Sequence, residues 1–214
     1  MFFPPGLIKF GFFLLYNQLA FSYDLVAWLV SFGQWADWRR TGLQYLQPGH
    51  TLELAFGSGG LYADMVARGI KPVGIDLSPY MARLTAKRLA RRRLPGSILR
   101  SRAQALPFPT GHFANAIATF PTPYIFEAET LAEIRRVLVN DRQAPGRLII
   151  VMQGELKRLG WLTPVLEWLY RVTGQREDLA PDPLAVLHAA GFEAHWAQAR
   201  FETAEAQLLI AHKT

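Results

Sequence analysis

Downstream of a turn at Gln47–His50, "QPGH", short apolar runs alternate with segments of helical periodicity. Thr51–Ala55, Pro72–Ile75, Ile98–Arg100, Phe113–Thr119 and Arg147–Met152 read as strands. Leu61–Ala67, Ser78 to about Arg93, and Thr130–Leu138 read as the helices between them. Ser78-Pro79 is a strong helix start, with serine as cap and proline at the first helical position, and "LPG" stops that helix. "LPFPTGH", Leu106 to His112, is a loop. A helical stretch at Leu159–Val172, a helix ending at "HAAGF" and two closing strands, Glu193–Ala199 and Ala206–Ala211, follow. This alternation predicts an α/β domain with a mainly parallel sheet, and the two consecutive last strands add an antiparallel edge.

Upstream of the turn the pattern changes. Residues 1–47 read as apolar helices, and between Phe10 and Ala36 the only charged residue is Asp24. A transmembrane helix needs about 20 mainly apolar residues. Asn17, Gln18, Ser22 and Asp24 interrupt every window of that length. No small-residue cleavage site marks a signal peptide. The expectation is a helical cap over residues 1–47 on a domain of residues 48–214. It carries more aromatic surface than a thin covering layer needs, so part of it is expected to close over an apolar ligand or to touch a membrane.

Composition narrows this further. Half of the 214 residues are hydrophobic, which excludes a disordered chain, and the absence of cysteine excludes disulfide and thiolate chemistry. It fits a cytoplasmic protein. The net charge of +6 permits an anionic partner. Its densest run, "AKRLARRRL" from Ala86 to Leu94, lacks interleaved aromatics, so it reads as a solvated helix face and disfavours nucleic acid.

The candidate chemistry lies in "LELAFGSGGLYADMVARGIKPVGIDLS", Leu52 to Ser78. A glycine loop after a strand lets a ligand approach the backbone at the carboxyl edge of a sheet. Asp76 ends the next strand, nineteen residues after Gly57, where a carboxylate can accept from ribose hydroxyls. That spacing points to a nucleoside-bearing cofactor. The third glycine of a dinucleotide fingerprint is Tyr62 here, and the Gly-Lys-Ser/Thr ending of a P-loop is absent. Glu53, just before the glycines, would repel a diphosphate and suit a cationic amino-acid end.

"LELAFGSGG" resembles motif I of the class I S-adenosylmethionine-dependent methyltransferases, E/D-x-G-x-G-x-G, and "GIDLSPYM" resembles the segment that follows it. "ALPFPTGHFANAIATF" and "LAEIRRVL" before "GRLIIV" resemble the later elements of the methyltransferases called type 11. The resemblance covers about residues 51–152 and implies a Rossmann-like seven-stranded sheet with an antiparallel last strand. It implies that Glu53 holds the methionine end and that Ala55, Gly57, Ser58 and Gly59 wrap methionine and ribose. Asp76 would hold the ribose, Leu77 and Met81 would pack on adenine, and Ala103 would offer its backbone N–H. Thr119 and Phe120 would floor the sulfonium. The usual aspartate near Ala103 is Arg102, so either Gln104 meets the adenine amino group or that contact is missing.

"YDLVAWLVSFGQWADWRR", Tyr23 to Arg40, resembles the N-terminal motif of the ubiquinone/menaquinone C-methyltransferases and brings Tyr23 into the cofactor-binding set. Ala27 and Trp35 replace that family's asparagine and histidine, and Pro123-Tyr124 replace its Arg-Asn pair. Trp35 and Tyr124 are candidate acceptor contacts, and the acceptor class implied is small and apolar: lipid-, quinone- or polyketide-like. No histidine is placed beside the loop by its sequence position, and methyl transfer requires alignment before it requires a base. Two other readings stay open: a cofactor-binding or membrane-peripheral protein of this fold without transferase activity, and a nucleic-acid methyltransferase.

Overall fold

A computed structural model of the chain describes residues 27–28, 31–155, 182–202 and 204–214. The expected helices within residues 1–26, with Tyr23, and the helical stretch at 159–172 lie outside the described residues. The described part is one seven-stranded sheet: β1 (Thr51–Leu54), β2 (Pro72–Asp76), β3 (Ser97–Arg100), β4 (Asn115–Thr119), β5 (Arg147–Glu155), β6 (Phe192–Phe201) and β7 (Ala204–Lys213). The helices are α1 (Trp35–Thr41), α2 (Gly60–Ala67), α3 (Pro79–Arg92), α4 (Ala128–Val137) and α5 (Pro183–Ala189).

The strand order is β3-β2-β1-β4-β5-β7-β6, parallel from β3 to β5, with β7 antiparallel to both of its neighbours. The order reverses between β1 and β4, so a crevice opens at their carboxyl ends, where α/β sheets bind ligands. The expected antiparallel edge is present, made by β7 and β6. The last strand is antiparallel but lies inside the sheet, and β6 is the edge. The reason is packing: Leu208, Leu209 and Ile210 of β7 are buried, whereas β6 alternates mainly between exposed and half-buried positions.

Boundaries move for local reasons. Phe113 makes only an isolated bridge to Leu138, so β4 begins two residues later than the apolar run suggests. The Ser78 cap is as expected, its hydroxyl accepting from Met81 N at 3.3 Å. Asp182 caps α5 in the same way through Leu184 N.

Each sheet face builds its own core. Leu52, Leu54, Ile75, Ala118 and Ile150 pack with α4 and α5. On the opposite face Ile117, Ile149, Val151 and Leu208 pack with Trp35 and Trp38 of α1 and Leu61 and Met65 of α2. Gly154 makes room for this: a Cβ there would lie 1.9 Å from the Trp38 ring. Among the described residues no helix is long and apolar enough to cross a membrane.

Candidate functional site

The loop after β1 turns through left-handed backbone at Ala55 (φ 51°), Gly57 (φ 55°) and Gly59 (φ 70°). Only glycine adopts this region without a steric cost, about 1–2 kcal/mol per residue otherwise, and Ala55 bears it. A Cβ on Gly59 would lie 2.3 Å from the Thr85 side chain, so the loop seats directly on α3. The Thr85 hydroxyl donates to Gly57 O at 2.9 Å and fixes that seat. Gly57 differs: among the described residues a Cβ there would meet nothing closer than Ala55 O at 3.9 Å, so that side of the loop leaves room for a ligand. Ser58 is buried.

Asp76 holds the cradle from the next strand. Its two carboxylate oxygens accept from Gly57 N (2.8 Å) and Ser78 N (2.7 Å). The carboxylate thus ties glycine loop, strand end and helix start together. Burial pushes its pKa up, against the hydrogen bonds from Ser78, Gly57 and Leu77 N.

Glu53 lies beneath the loop. Leu52 and Leu54 point to the α4 side, so by strand alternation Glu53 points toward α1 and α2. It is 2% exposed, and among the described residues its Oε2 has no hydrogen-bond partner. Burial pushes its pKa up to about 8; Arg39 opposes the rise, and Asp76 and Asp64 add to it. Arg39 comes from α1, and its guanidinium lies against the first residue of α2. A Cβ on Gly60 would be 2.2 Å from its Nη1. The neighbouring Arg40 serves another acid, pairing with Asp64 (2.9 Å) and Asp37 (2.7 Å). A carboxyl with one oxygen unpartnered among the described residues, a guanidinium and the N-terminus of an eight-residue helix therefore converge beside the glycine loop.

The loop after β3 reaches the same crevice because Ser101 N donates to Asp76 O at 3.1 Å. Leu77 is 62% exposed and offers a free apolar face, whereas Met81 is fully buried and supports the start of α3. Ala103 is buried and Arg102 exposed. The Gln104 amide donates to Glu127 at 2.6 Å, which leaves its carbonyl oxygen as the remaining acceptor for a ligand amino group.

Beyond β4, Thr119 and Phe120 are half-buried. Phe120 takes φ 49°, and its ring lies 4.2 Å from that of Trp35. Trp38 stands edge-on to both rings. Tyr124, in the turn Pro123–Phe126, is half-buried against the α4-side core. All five histidines lie elsewhere. His50 and His112 pair at the amino ends of β1 and β4, His195 and His212 stack across β6 and β7, and His188 bonds the Ala194 backbone.

Around the carboxyl ends of β1, β2 and β4 the structure brings together Glu53, the residue 55–59 loop, Asp76, Leu77, the loop of Ala103 and Gln104, and Thr119-Phe120 with Trp35. Sequence reasoning missed Arg39, Thr85 and Glu127 as members of this site. A signal existed for the first: Trp38-Arg39-Arg40 ends a segment almost free of charge.

Residues 51–141 match the family model described as a methyltransferase domain. Over 145 residues the chain is 32% identical to a demethylmenaquinone methyltransferase of Thermus thermophilus, covering 65% of this chain and 64% of that one. It is 28% identical over 146 residues to a ubiquinone/menaquinone biosynthesis C-methyltransferase of Geotalea uraniireducens, covering 64% and 60%. It thus spans less than two thirds of either relative. Among solved structures, a possible histamine N-methyltransferase of Thermotoga maritima superposes with TM-score 0.65 at 18% identity, over 94% of this chain and 98% of that one. Geranyl diphosphate C-methyltransferase of Streptomyces coelicolor, with S-adenosylhomocysteine bound, gives TM-score 0.61 at 15% identity, over 84% and 78%. The strand order, the glycine loop with its strand-end aspartate and these likenesses agree on the fold of the S-adenosylmethionine-dependent methyltransferases, with residues 51–141 matching a methyltransferase domain.

Proposed function

We propose that the protein transfers the methyl group of S-adenosylmethionine to a small apolar acceptor. The observation that carries this reading is the Glu53 carboxyl, buried, unpartnered at Oε2 among the described residues and set beside a glycine loop with room at Gly57. A buried acid without a partner is costly unless a ligand completes it. The residues present fit the cofactor. Glu53 would accept from its ammonium, and Arg39, with the first N–H groups of α2, would face its carboxylate. Asp76 would accept from the ribose hydroxyls. Leu77 and the Ala103 loop would enclose the adenine, with the Gln104 carbonyl oxygen toward its amino group.

When bound, the cofactor supplies an electrophilic methyl group on a cationic sulfur. The residues around it need only align the acceptor and keep water out. Trp35, Phe120 and Tyr124 would form that apolar wall. No histidine of the chain stands beside it, so alignment rather than proton removal is what these residues provide. The two relatives' names, demethylmenaquinone methyltransferase and ubiquinone/menaquinone biosynthesis C-methyltransferase, support a lipid- or quinone-like acceptor here. The test is tritiated methyl transfer into lipid, small-molecule and RNA extracts, alongside calorimetry with S-adenosylhomocysteine. Label in the lipid-soluble fraction is the expected result. Label in RNA, or firm cofactor binding without any transfer, overturns it.

A further inference from the structure

We infer that the outer face of α3 and the adjoining β3 edge form a docking surface for an anionic lipid bilayer. The first observation is charge segregation. Residues 77–126 contain no aspartate or glutamate and eight lysines and arginines. The rest of the chain carries 15 lysines and arginines against 17 acids. The whole positive excess of the protein therefore sits on one stretch.

The fold gathers that stretch onto one edge. β3 is the outermost strand, and α3 packs on β2 and β3. Met81, Thr85 and Leu89 face inward on α3, which turns Tyr80, Arg83, Lys87 and Arg91 outward at helical spacing. Arg93, Arg100 and Arg102 extend the exposed set. Arg92 reaches Asp64 at 3.8 Å and Arg88 reaches Ser58, so those two also serve the body of the protein. Mutual repulsion among the outward cations opposes the compact state, and an anionic partner relieves it.

The shape selects the partner. The outward cations of α3 span about 12 Å along the convex face of the helix, at 1.5 Å per residue. That suits an extended anionic surface and not a single bound ion. Single-stranded nucleic acid needs free aromatic faces for stacking. The surface offers only Tyr80, and Arg83 already lies over its ring at 4.5 Å. The exposed apolar residue on β3 is instead aliphatic: Leu99, 42% exposed and suited to a headgroup layer. α3 also begins three residues after Asp76, so a docked bilayer would lie beside the crevice. The choice of lipid over RNA rests in part on the apolar acceptor proposed above. The test needs neither acceptor nor turnover, so its outcome is separate from that proposal.

The experiment is cosedimentation of the full chain with vesicles of phosphatidylcholine, with and without phosphatidylglycerol, at low and high salt. The variant is R83Q/K87Q/R91Q, whose exposed positions accept glutamine without loss of helix propensity. Each cation near an anionic surface contributes about fivefold in affinity, so the triple variant should lose about a hundredfold for phosphatidylglycerol vesicles. S-adenosylhomocysteine affinity should stay unchanged, the melting temperature should not fall, and salt should release the parent protein. Variant binding equal to the parent's overturns the inference, as does parent binding that ignores phosphatidylglycerol. Binding of single-stranded RNA in preference to the vesicles also overturns it.

Discussion

Replacing Glu53 with glutamine should stabilise the protein while disabling its site. The folded protein holds this carboxyl with its pKa raised from 4.5 to about 8, chiefly through burial. Because the folded value is the higher one, the native state binds more protons than the unfolded state between those two values. The stability tied to neutral Glu53 is fully present below the ordinary value. It falls as pH rises and is lost once pH passes through about 8. Near neutrality the unfolded chain has gained roughly 2.5 pH units of ionisation that the native state forgoes. At 1.36 kcal/mol per unit this is about 3 kcal/mol. Glutamine keeps the shape and does not ionise. Glu53→Gln should therefore raise the melting temperature near neutrality by about 6–12 °C for a chain of this length. The gain should vanish in acid. The assay is thermal unfolding of parent and variant across the acid-to-alkaline range, repeated with S-adenosylhomocysteine. The ligand should stabilise the parent and hardly shift the variant, because glutamine carries no charge to meet the ammonium. An equal or lower melting temperature for the variant in mild alkali would refute the reasoning.

Three further outcomes are expected. Asp76→Ala removes a charged acceptor and a loop brace, and calorimetry should show S-adenosylhomocysteine binding weakened by about 2–3 kcal/mol. Arg39→Met should weaken S-adenosylhomocysteine but leave 5′-methylthioadenosine, which lacks the amino-acid end, bound as before; equal loss for both ligands would remove Arg39 from the carboxylate. Gly59→Ala sets a methyl against Thr85 and a side chain in left-handed backbone, and urea unfolding should show a loss of about 2–4 kcal/mol.

The fold was legible where patterns are local. Ser78-Pro79 and the glycine loop announce themselves through capping and turn chemistry, and the β1 to β5 alternation implies parallel strands. The position of β7 was not legible. A hairpin pairs its strands in either arrangement, and only the burial of Leu208 to Ile210 against β5 decides which strand goes inside. In the site, Glu53 and Asp76 were readable because their spacing follows one βα unit. Arg39 was not, because its approach to Glu53 depends on how α1 lies across the sheet. Met81, which the resemblance sets against adenine, is buried at the start of α3, a burial that no local pattern announces.

The central claim is that Glu53, Arg39 and Asp76 form a receptor for the amino-acid and ribose ends of S-adenosylmethionine. Its most direct test is titration calorimetry of S-adenosylhomocysteine near neutrality in two buffers of different ionisation heat. The expected result is micromolar binding with release of a proton, because neutral Glu53 ionises when the ammonium arrives. The released proton should disappear in Glu53→Gln, and a nicotinamide dinucleotide should give no heat. Firm dinucleotide binding without S-adenosylhomocysteine binding would contradict the claim, and so would S-adenosylhomocysteine binding that leaves the proton count unchanged.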